Sequence, residues 1–347
     1  MRRRNFIGYL AGFLAAWPGG AFPQVRSLPV VGLLHGQSEG PSNPGVAKFR
    51  EGLSQEGYVE GRNVVIEYRW GNNAPATLPG LAADLVQHRA AVIVTAGGLV
   101  AAKAAQAASS TIPIVFITGL DPAENGFVAS LNRPGGNATG VVNYSRELAP
   151  KRLELMRELV GPTAKIAYLI NAYELNVDDR EINPGAKKQA QEEKNWALAH
   201  TDLVLDVASG RCLGLPQRPD CLDEEIAASF AAASKQGMRA LIVGSDPFFT
   251  NRRDLLVKLA AQHALPTSYQ QRQFVDAGGL ISYGTSGPDS LRQAGVYAGR
   301  ILKGANPAEM PVLTPEKLEL VINAKAAKAL GLTIPVSLLV SADEIIR

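Results

Sequence analysis

The 347-residue chain has few of the residues that build metal and redox centres: two cysteines and four histidines, the latter widely scattered. That scarcity excludes a structural zinc module or an iron–sulfur site as the organising feature, and no metal site is expected. Aromatic residues make up 6% and charged residues 19%, whereas 46% are hydrophobic. This is too much apolar material for disorder and enough for two ordinary domains. The mean hydropathy is zero. No uninterrupted apolar run reaches the roughly 18 residues of a membrane span, so stable membrane insertion is not expected. Charge of one sign is scarce too. The formal net charge is +3, and Arg2, Arg3 and Arg4 account for it: removing them takes 35 basic residues to 32, equal to the 32 acidic ones. A neutral body has no basic surplus to replace counterions on phosphates, which excludes an extended nucleic-acid surface. Enzyme signatures are missing as well. There is no G-x-G-x-x-G after the first strand, no P-loop lysine motif, no H-E-x-x-H and no G-x-S-x-G elbow. No repeat recurs at a solenoid period.

What is present begins with an address. Met1–Gln24 has a basic start, an apolar segment Ile7–Trp17 and the small residues of Pro18-Gly19-Gly20-Ala21, the layout of a cleaved signal peptide. Arg3-Arg4-Asn5-Phe6-Ile7 matches the centre of the twin-arginine pattern, although Arg2 stands where Ser or Thr is usual and Gly8 where Lys is usual. Export to the periplasm is therefore expected, by the twin-arginine route or, alternatively, the general secretory one. In that oxidising compartment Cys212 and Cys221, flanking a Pro-rich stretch, could close a small loop. A catalytic thiol would need a His partner, and no supporting neighbour is evident.

The body alternates strand and helix. Strands are predicted at 28–34, 64–68, 91–95, 112–118 and 139–143, with helices at 44–56, 78–87, 100–108 and 125–131 between them. The pattern then restarts. Helices at 149–160, 186–199, 222–236, 252–263, 290–303 and 324–330 alternate with strands at 165–170, 202–207, 240–243, 266–269, 279–283 and 317–322. Such βαβ succession predicts parallel sheets covered on both faces, an α/β fold of two Rossmann-like lobes.

Ligands of open parallel sheets sit at the carboxyl ends of the strands, where strand order reverses. The residues at those positions are His35, Gln37 and Ser38 after the first strand and Thr95, Gly97 and Gly98 after the third. Asp121 follows the fourth. In the second lobe they are Asn171, Ser245, Asp246, Tyr269 and Tyr283. The amides after Gly97-Gly98 suit a carboxylate or phosphate, and the two aspartates an ammonium or a hydroxyl-rich ligand. Each also has a purely structural alternative. Gly97 and Gly98 would let the strand turn tightly into its helix. Asp121-Pro122 and Asp246-Pro247 are good helix-start pairs, Asp as cap and Pro in the first turn. Tyr283 would serve as a hinge or core residue, and the histidines would sit on surfaces or in satisfied hydrogen bonds.

Several stretches carry a resemblance to a known family. The first runs Thr111-Ile112-Pro113-Ile114-Val115-Phe116, then Asp121-Pro122, then Gly126 to Gly140 (GFVASLNRPGGNATG). The others are Phe49-Arg50-Glu51-Gly52-Leu53, Gly57 to Asn63, Gly244-Ser245-Asp246-Pro247-Phe248-Phe249, and 317–332. Together these resemble ABC transporter substrate-binding proteins of the tryptophan/tyrosine-binding type, over about residues 28–347. The chain departs from that pattern in the polar stretch Tyr173–Pro184 and the insert Gly210–Cys221.

The resemblance implies a type I periplasmic binding fold whose two lobes close on a small ligand, with three hinge crossings. It implies a permease partner, a monomer, no cofactor and no catalytic residues. The lobes are expected at 26–145 plus 284–305 and at 146–283 plus 306–347, with crossings near 142–146, 283–285 and 306–313. An amino acid or related carboxylate is the leading ligand, ahead of sugars or nucleosides. A periplasmic sensing module, and less readily an exported α/β hydrolase, are the alternatives; a regulator's effector domain is disfavoured because no helix-turn-helix precedes Leu28.

Overall fold

The structure, a computed structural model, describes residues 28–37, 44–72, 74–176, 184–207, 212, 220–315 and 317–347. The expected signal peptide, Ser38 and most of the two departing stretches lie outside them.

In the first half, apolar runs with no polar face become buried strands, and the segments between them, apolar on one side only, become the helices that cover the sheet. The elements are β1 (Val30–His35), α1 (Pro44–Gln55), β2 (Val65–Trp70), α2 (Leu78–Gln87), β3 (Val92–Ala96), α3 (Leu99–Ala108), β4 (Ile114–Thr118) and β5 (Ala138–Val142). Among the described residues these strands form one all-parallel sheet in the order β2-β1-β3-β4-β5. One segment departs from expectation. The stretch 125–131 is a chain of turns, because Asp121 caps Ala123 and Glu124, Phe127 and Val128 both donate to the Pro122 carbonyl, and Gly126 turns at φ +66°.

The chain continues through α4 (Ala149–Val160), β6 (Ile166–Asn171), α5 (Tyr173–Asn176), α6 (Pro184–His200), β7 (Leu203–Val207), α7 (Cys221–Lys235) and β8 (Ala240–Val243). Then come α8 (Pro247–Thr250), α9 (Arg253–Gln262), β9 (Thr267–Tyr269), α10 (Arg272–Asp276) and β10 (Ile281–Thr285). Helix α11 (Gly287–Leu302) returns to the first lobe, and β11 (Leu318–Asn323), α12 (Ala324–Ala329), α13 (Val336–Ser341) and β12 (Glu344–Ile346) complete the second. The second sheet runs β12-β11-β10-β9-β8-β6-β7, parallel except where β10 meets β11. Its α4 face holds Leu153, Met156, Ile166, Ile242 and Leu320, and its α7 face Phe230, Leu241, Leu256 and Phe274.

The chain thus passes between the sheets after β5, after β10 and before β11. Two boundary details differ from expectation. Strand β10 carries residues 284–285 into the second sheet. Met310 and Val312 are buried in the first lobe's cores, and Leu313 pairs with Val141, so the third crossing follows Leu313. Helix α11 is held to α1 by close backbone contact: a Cβ on Gly295 would overlap the Phe49 carbonyl oxygen, and one on Gly52 the Arg292 carbonyl oxygen. The glycines there let two helices approach more closely than side chains would allow. Cys212 and Cys221 are joined by a disulfide at the start of α7.

Candidate functional site

Strand order reverses between β1 and β3 in the first sheet and between β6 and β8 in the second. These two switch points are where an open sheet leaves a crevice, and here they face each other. A Cβ on Gly98, at the start of α3, would lie 3.7 Å from Cγ of Pro247, at the start of α8. At the rim, the Glu124 carboxylate of the first lobe accepts from Lys188 Nζ at 3.2 Å and Gln189 Nε2 at 3.3 Å on α6.

On the first-lobe side the structure gathers His35, Gln37, Thr95, Gly97, Gly98 and Asp121 at the carboxyl ends of β1, β3 and β4. His35 is buried, its ring 5.0 Å from that of Trp70, and its Nδ1 accepts from the Gln37 amide at 3.1 Å. Burial pushes its pKa down to about 4, so the ring is neutral near pH 7. Thr95 is fully buried, and its hydroxyl makes no hydrogen bond among the described residues. Gly97 and Gly98 turn the chain at φ +125° and +82°, which puts the first amides of the ten-residue α3 at the crevice. The N-cap of α3 is Gly98, which has no side chain to cap the helix. Asp121 is already spoken for: Oδ1 accepts from the Ala123 and Glu124 amides at 2.8 and 3.0 Å, and Oδ2 from the Tyr144 hydroxyl at 3.1 Å. Capping is its visible role.

The second-lobe side is charged and buried. Asp246 caps α8 through Oδ1, which accepts from the Phe248 amide at 2.7 Å. Its side chain is only 14% exposed, and Oδ2 lies 3.8 Å from Arg146 Nη2. Burial raises its pKa, opposed by Arg146, the Phe248 amide and a hydrogen bond with the Asn171 side chain. Arg146 Nε lies 3.1 Å from Glu193 Oε2, and Glu193 Oε1 accepts from the Tyr168 hydroxyl at 2.7 Å. Ser245 is buried, its Oγ donating to Ser145 O and accepting from Arg152 Nη2, each at 2.9 Å.

Two predicted positions belong elsewhere. Tyr269 is fully buried in the α7-side core, stacked on Phe274 with centroids 4.6 Å apart, because the β-strand's alternation turns it to that face. Tyr283 packs against the α4-side core, and its backbone carbonyl accepts from Arg152. Conversely, Arg146, Arg152 and Glu193 were not anticipated. Arg152 and Glu193 did carry a signal: they fall on the buried register of α4 (149, 152, 153, 156, 159) and α6 (190, 193, 197). A charge on an apolar stripe marks a built polar network.

Two doubly wound lobes of parallel sheet, three crossings and facing switch points define a two-lobed binding protein of the type I periplasmic class. The model of the family described as "ABC transporter substrate binding protein" matches residues 39–192 and 221–346, and the chain belongs to that family. It is a family of substrate-binding proteins rather than enzymes. Over 301 residues, 86% of this chain and 80% of its own length, a tyrosine-binding protein of Clostridioides difficile (strain R20291) is 27% identical. A solved ABC domain from Streptococcus pneumonia in complex with L-Trp is 25% identical with a TM-score of 0.74, covering 92% of this chain and all of its own. An ABC transporter solute binding protein from Agrobacterium vitis with bound allitol shares the fold alone, at 12% identity and a TM-score of 0.54, over 86% of this chain and 97% of its own. Among the described residues no helix is long and apolar enough to cross a membrane.

Proposed function

We propose that this protein is the extracytoplasmic binding component of an ABC importer and captures an α-amino acid, with an aromatic side chain, in the crevice between its lobes. The observation that carries this reading is the approach of α8, whose N-cap is Asp246, to the start of α3 at Gly98, where an added Cβ would lie 3.7 Å from Pro247. One side offers a buried carboxylate for an ammonium, and the other, helix amides and a partial positive charge for a carboxylate. A zwitterion satisfies both, whereas a sugar satisfies neither charge. The tyrosine- and tryptophan-binding relatives supply the aromatic side chain, and the signal-peptide pattern of Met1–Gln24 supports export. Closure then traps the ligand because contacts to both lobes exist only in the closed state, so binding shifts that equilibrium. A permease would receive the closed form.

The test is a thermal-shift screen of the mature protein against L-tryptophan, L-tyrosine, other amino acids, their decarboxylated amines, organic acids and sugars. A ligand at 100 times its Kd stabilises by about 2.7 kcal/mol, a readily measured rise in midpoint. L-Tryptophan or L-tyrosine is expected to raise the midpoint while tryptamine and tyramine do not. A hit confined to sugars would overturn the amino-acid reading.

A further inference from the structure

Arg152 is the largest fully buried side chain among the described residues, and it makes no direct ion pair there. Its two terminal nitrogens are spent instead on three acceptors from three segments, while the buried Nε has no hydrogen-bond partner among the described residues. Nη1 donates to Ser145 O at 2.9 Å and Tyr283 O at 3.4 Å, and Nη2 to Ser245 Oγ at 2.9 Å. Ser145 lies in the crossing between β5 and α4, Tyr283 in the strand that leads into the crossing to α11, and Ser245 directly precedes Asp246. Ser245 Oγ closes the ring by donating to Ser145 O at 2.9 Å. The two crossings are stitched a second time, on the first-lobe side, by Ser290 Oγ donating to Asn143 Oδ1 at 2.9 Å.

Burying a guanidinium is costly, and a planar fork with fixed donors is the group that can hold several carbonyls in one geometry. The helix would be served equally well by an apolar residue at this register position. What the arginine adds is the link between the segments. It holds both crossings to the end of β8, so rotation between the lobes must occur beyond Ser145 and beyond Tyr283. Arg146, next to Ser145, reaches Asp246 from the same crossing.

We propose that Arg152 is a positioning residue that fixes where the lobes hinge and couples the Ser245-Asp246 end of β8 to two of the three crossings. This rests on the binding-protein reading above. A ligand held by Asp246 immobilises the segment that Arg152 ties to the crossings, so occupancy is transmitted to the hinge through hydrogen bonds rather than through displacement of a whole lobe.

The test uses Ser245→Ala, which removes one acceptor, Arg152→Lys, which keeps a cation that cannot span three acceptors, and Arg152→Met. Amide hydrogen exchange is measured on the ligand-free mature protein, and L-tryptophan and L-tyrosine dissociation rates by stopped flow. Amides at 143–146 and 284–287 are expected to exchange at least about tenfold faster in Ser245→Ala and Arg152→Lys, with those of β6 and β8 unchanged. Ligand dissociation is expected to accelerate by a similar factor while association is unaltered. Unchanged exchange at the crossings, or an equal rise throughout the second lobe, would overturn the assignment and leave Arg152 a core residue. If Arg152→Met does not fold, the Ser245→Ala profile decides. Absence of binding by the wild type would overturn the amino-acid reading, and the ligand-free exchange profile judges Arg152 independently.

Discussion

The backbones of Gly36 and Gly97 lie against each other at the first lobe's switch point. The Gly36 amide donates to the Ala96 carbonyl at 2.7 Å, and a Cβ on Gly97 would sit 2.7 Å from the Gly36 nitrogen. Gly97 also holds φ +125°, a conformation L-residues avoid. Gly97→Ala is therefore expected to destabilise by about 1–3 kcal/mol. Gly80, inside α2, has nothing within 4 Å of an added Cβ. Gly80→Ala is expected to stabilise by about 0.5–1 kcal/mol, since alanine loses less backbone entropy in a helix. Urea unfolding of both variants checks the opposite signs.

The two aspartates that look alike in sequence are expected to separate in function. Asp246→Asn removes the charge facing the crevice and should weaken L-tryptophan or L-tyrosine binding by at least about tenfold, the loss of one charge-assisted hydrogen bond. Asp121→Asn, whose oxygens are engaged within the protein, should leave affinity within about threefold and stability within about 1 kcal/mol, since asparagine caps about as well as aspartate. Isothermal titration and thermal unfolding of the pair discriminate them. Equal losses of affinity would refute the assignment of Asp246 as the ammonium site.

Acid should act through His35. Its folded pKa of about 4 lies below the ordinary value of 6.5, so the unfolded chain binds the extra proton first as pH falls. Its contribution is fully present above pH 6.5 and is lost as pH drops towards 4, amounting to about 3 kcal/mol. The difference in unfolding free energy between wild type and His35→Gln, followed from pH 7.5 to 4, should shrink over that window. A pH-independent difference would show that the ring is not held neutral by burial.

Reducing the Cys212–Cys221 bridge releases a loop closed across a sequence separation of 9. On the chain-entropy estimate the cost is about 2–3 kcal/mol. Denaturation midpoints with and without reductant, and of the Cys212→Ser/Cys221→Ser double variant, measure it.

The fold was legible because its central strands, such as β3, β4 and β8, are apolar on both faces and its helices on one, a period difference that needs no tertiary information. Position was harder to read. The carboxyl-end rule placed His35, Gly97, Gly98, Asn171, Ser245 and Asp246 at strand ends, where the structure also has them, since it follows from strand direction alone. Tyr269 and Tyr283 pack at the cores, Tyr283 in mid-strand as its hinge-or-core alternative had it, because the face a strand residue presents depends on register and on what packs above it. The rule also could not tell Asp121 from Asp246. Both precede proline and both cap, and only the Tyr144 hydroxyl against one and the Arg146 guanidinium near the other set them apart. Arg152 and Glu193 were visible as charges on apolar stripes, but their partners lie in strands, in the crossing before α4 and in the loop after β8, not in their own helices.

The return of α11 to the first lobe bears on how the molecule assembles. The core beneath α1 takes Leu291, Ala294, Tyr297 and Ile301 from a helix some 240 residues further along, and the second lobe's core takes Leu320, Ile322 and Leu338 from the last strands and helices. A chain emerging from the ribosome can complete neither of these two cores until almost all of it has been made. The opposite-face cores, built from residues 34–142 and 167–274 with Val312 the one late addition, can form earlier. Each lobe is nevertheless completed only by long-range closure, so a fragment ending before residue 287 would have two incomplete lobes rather than one finished domain.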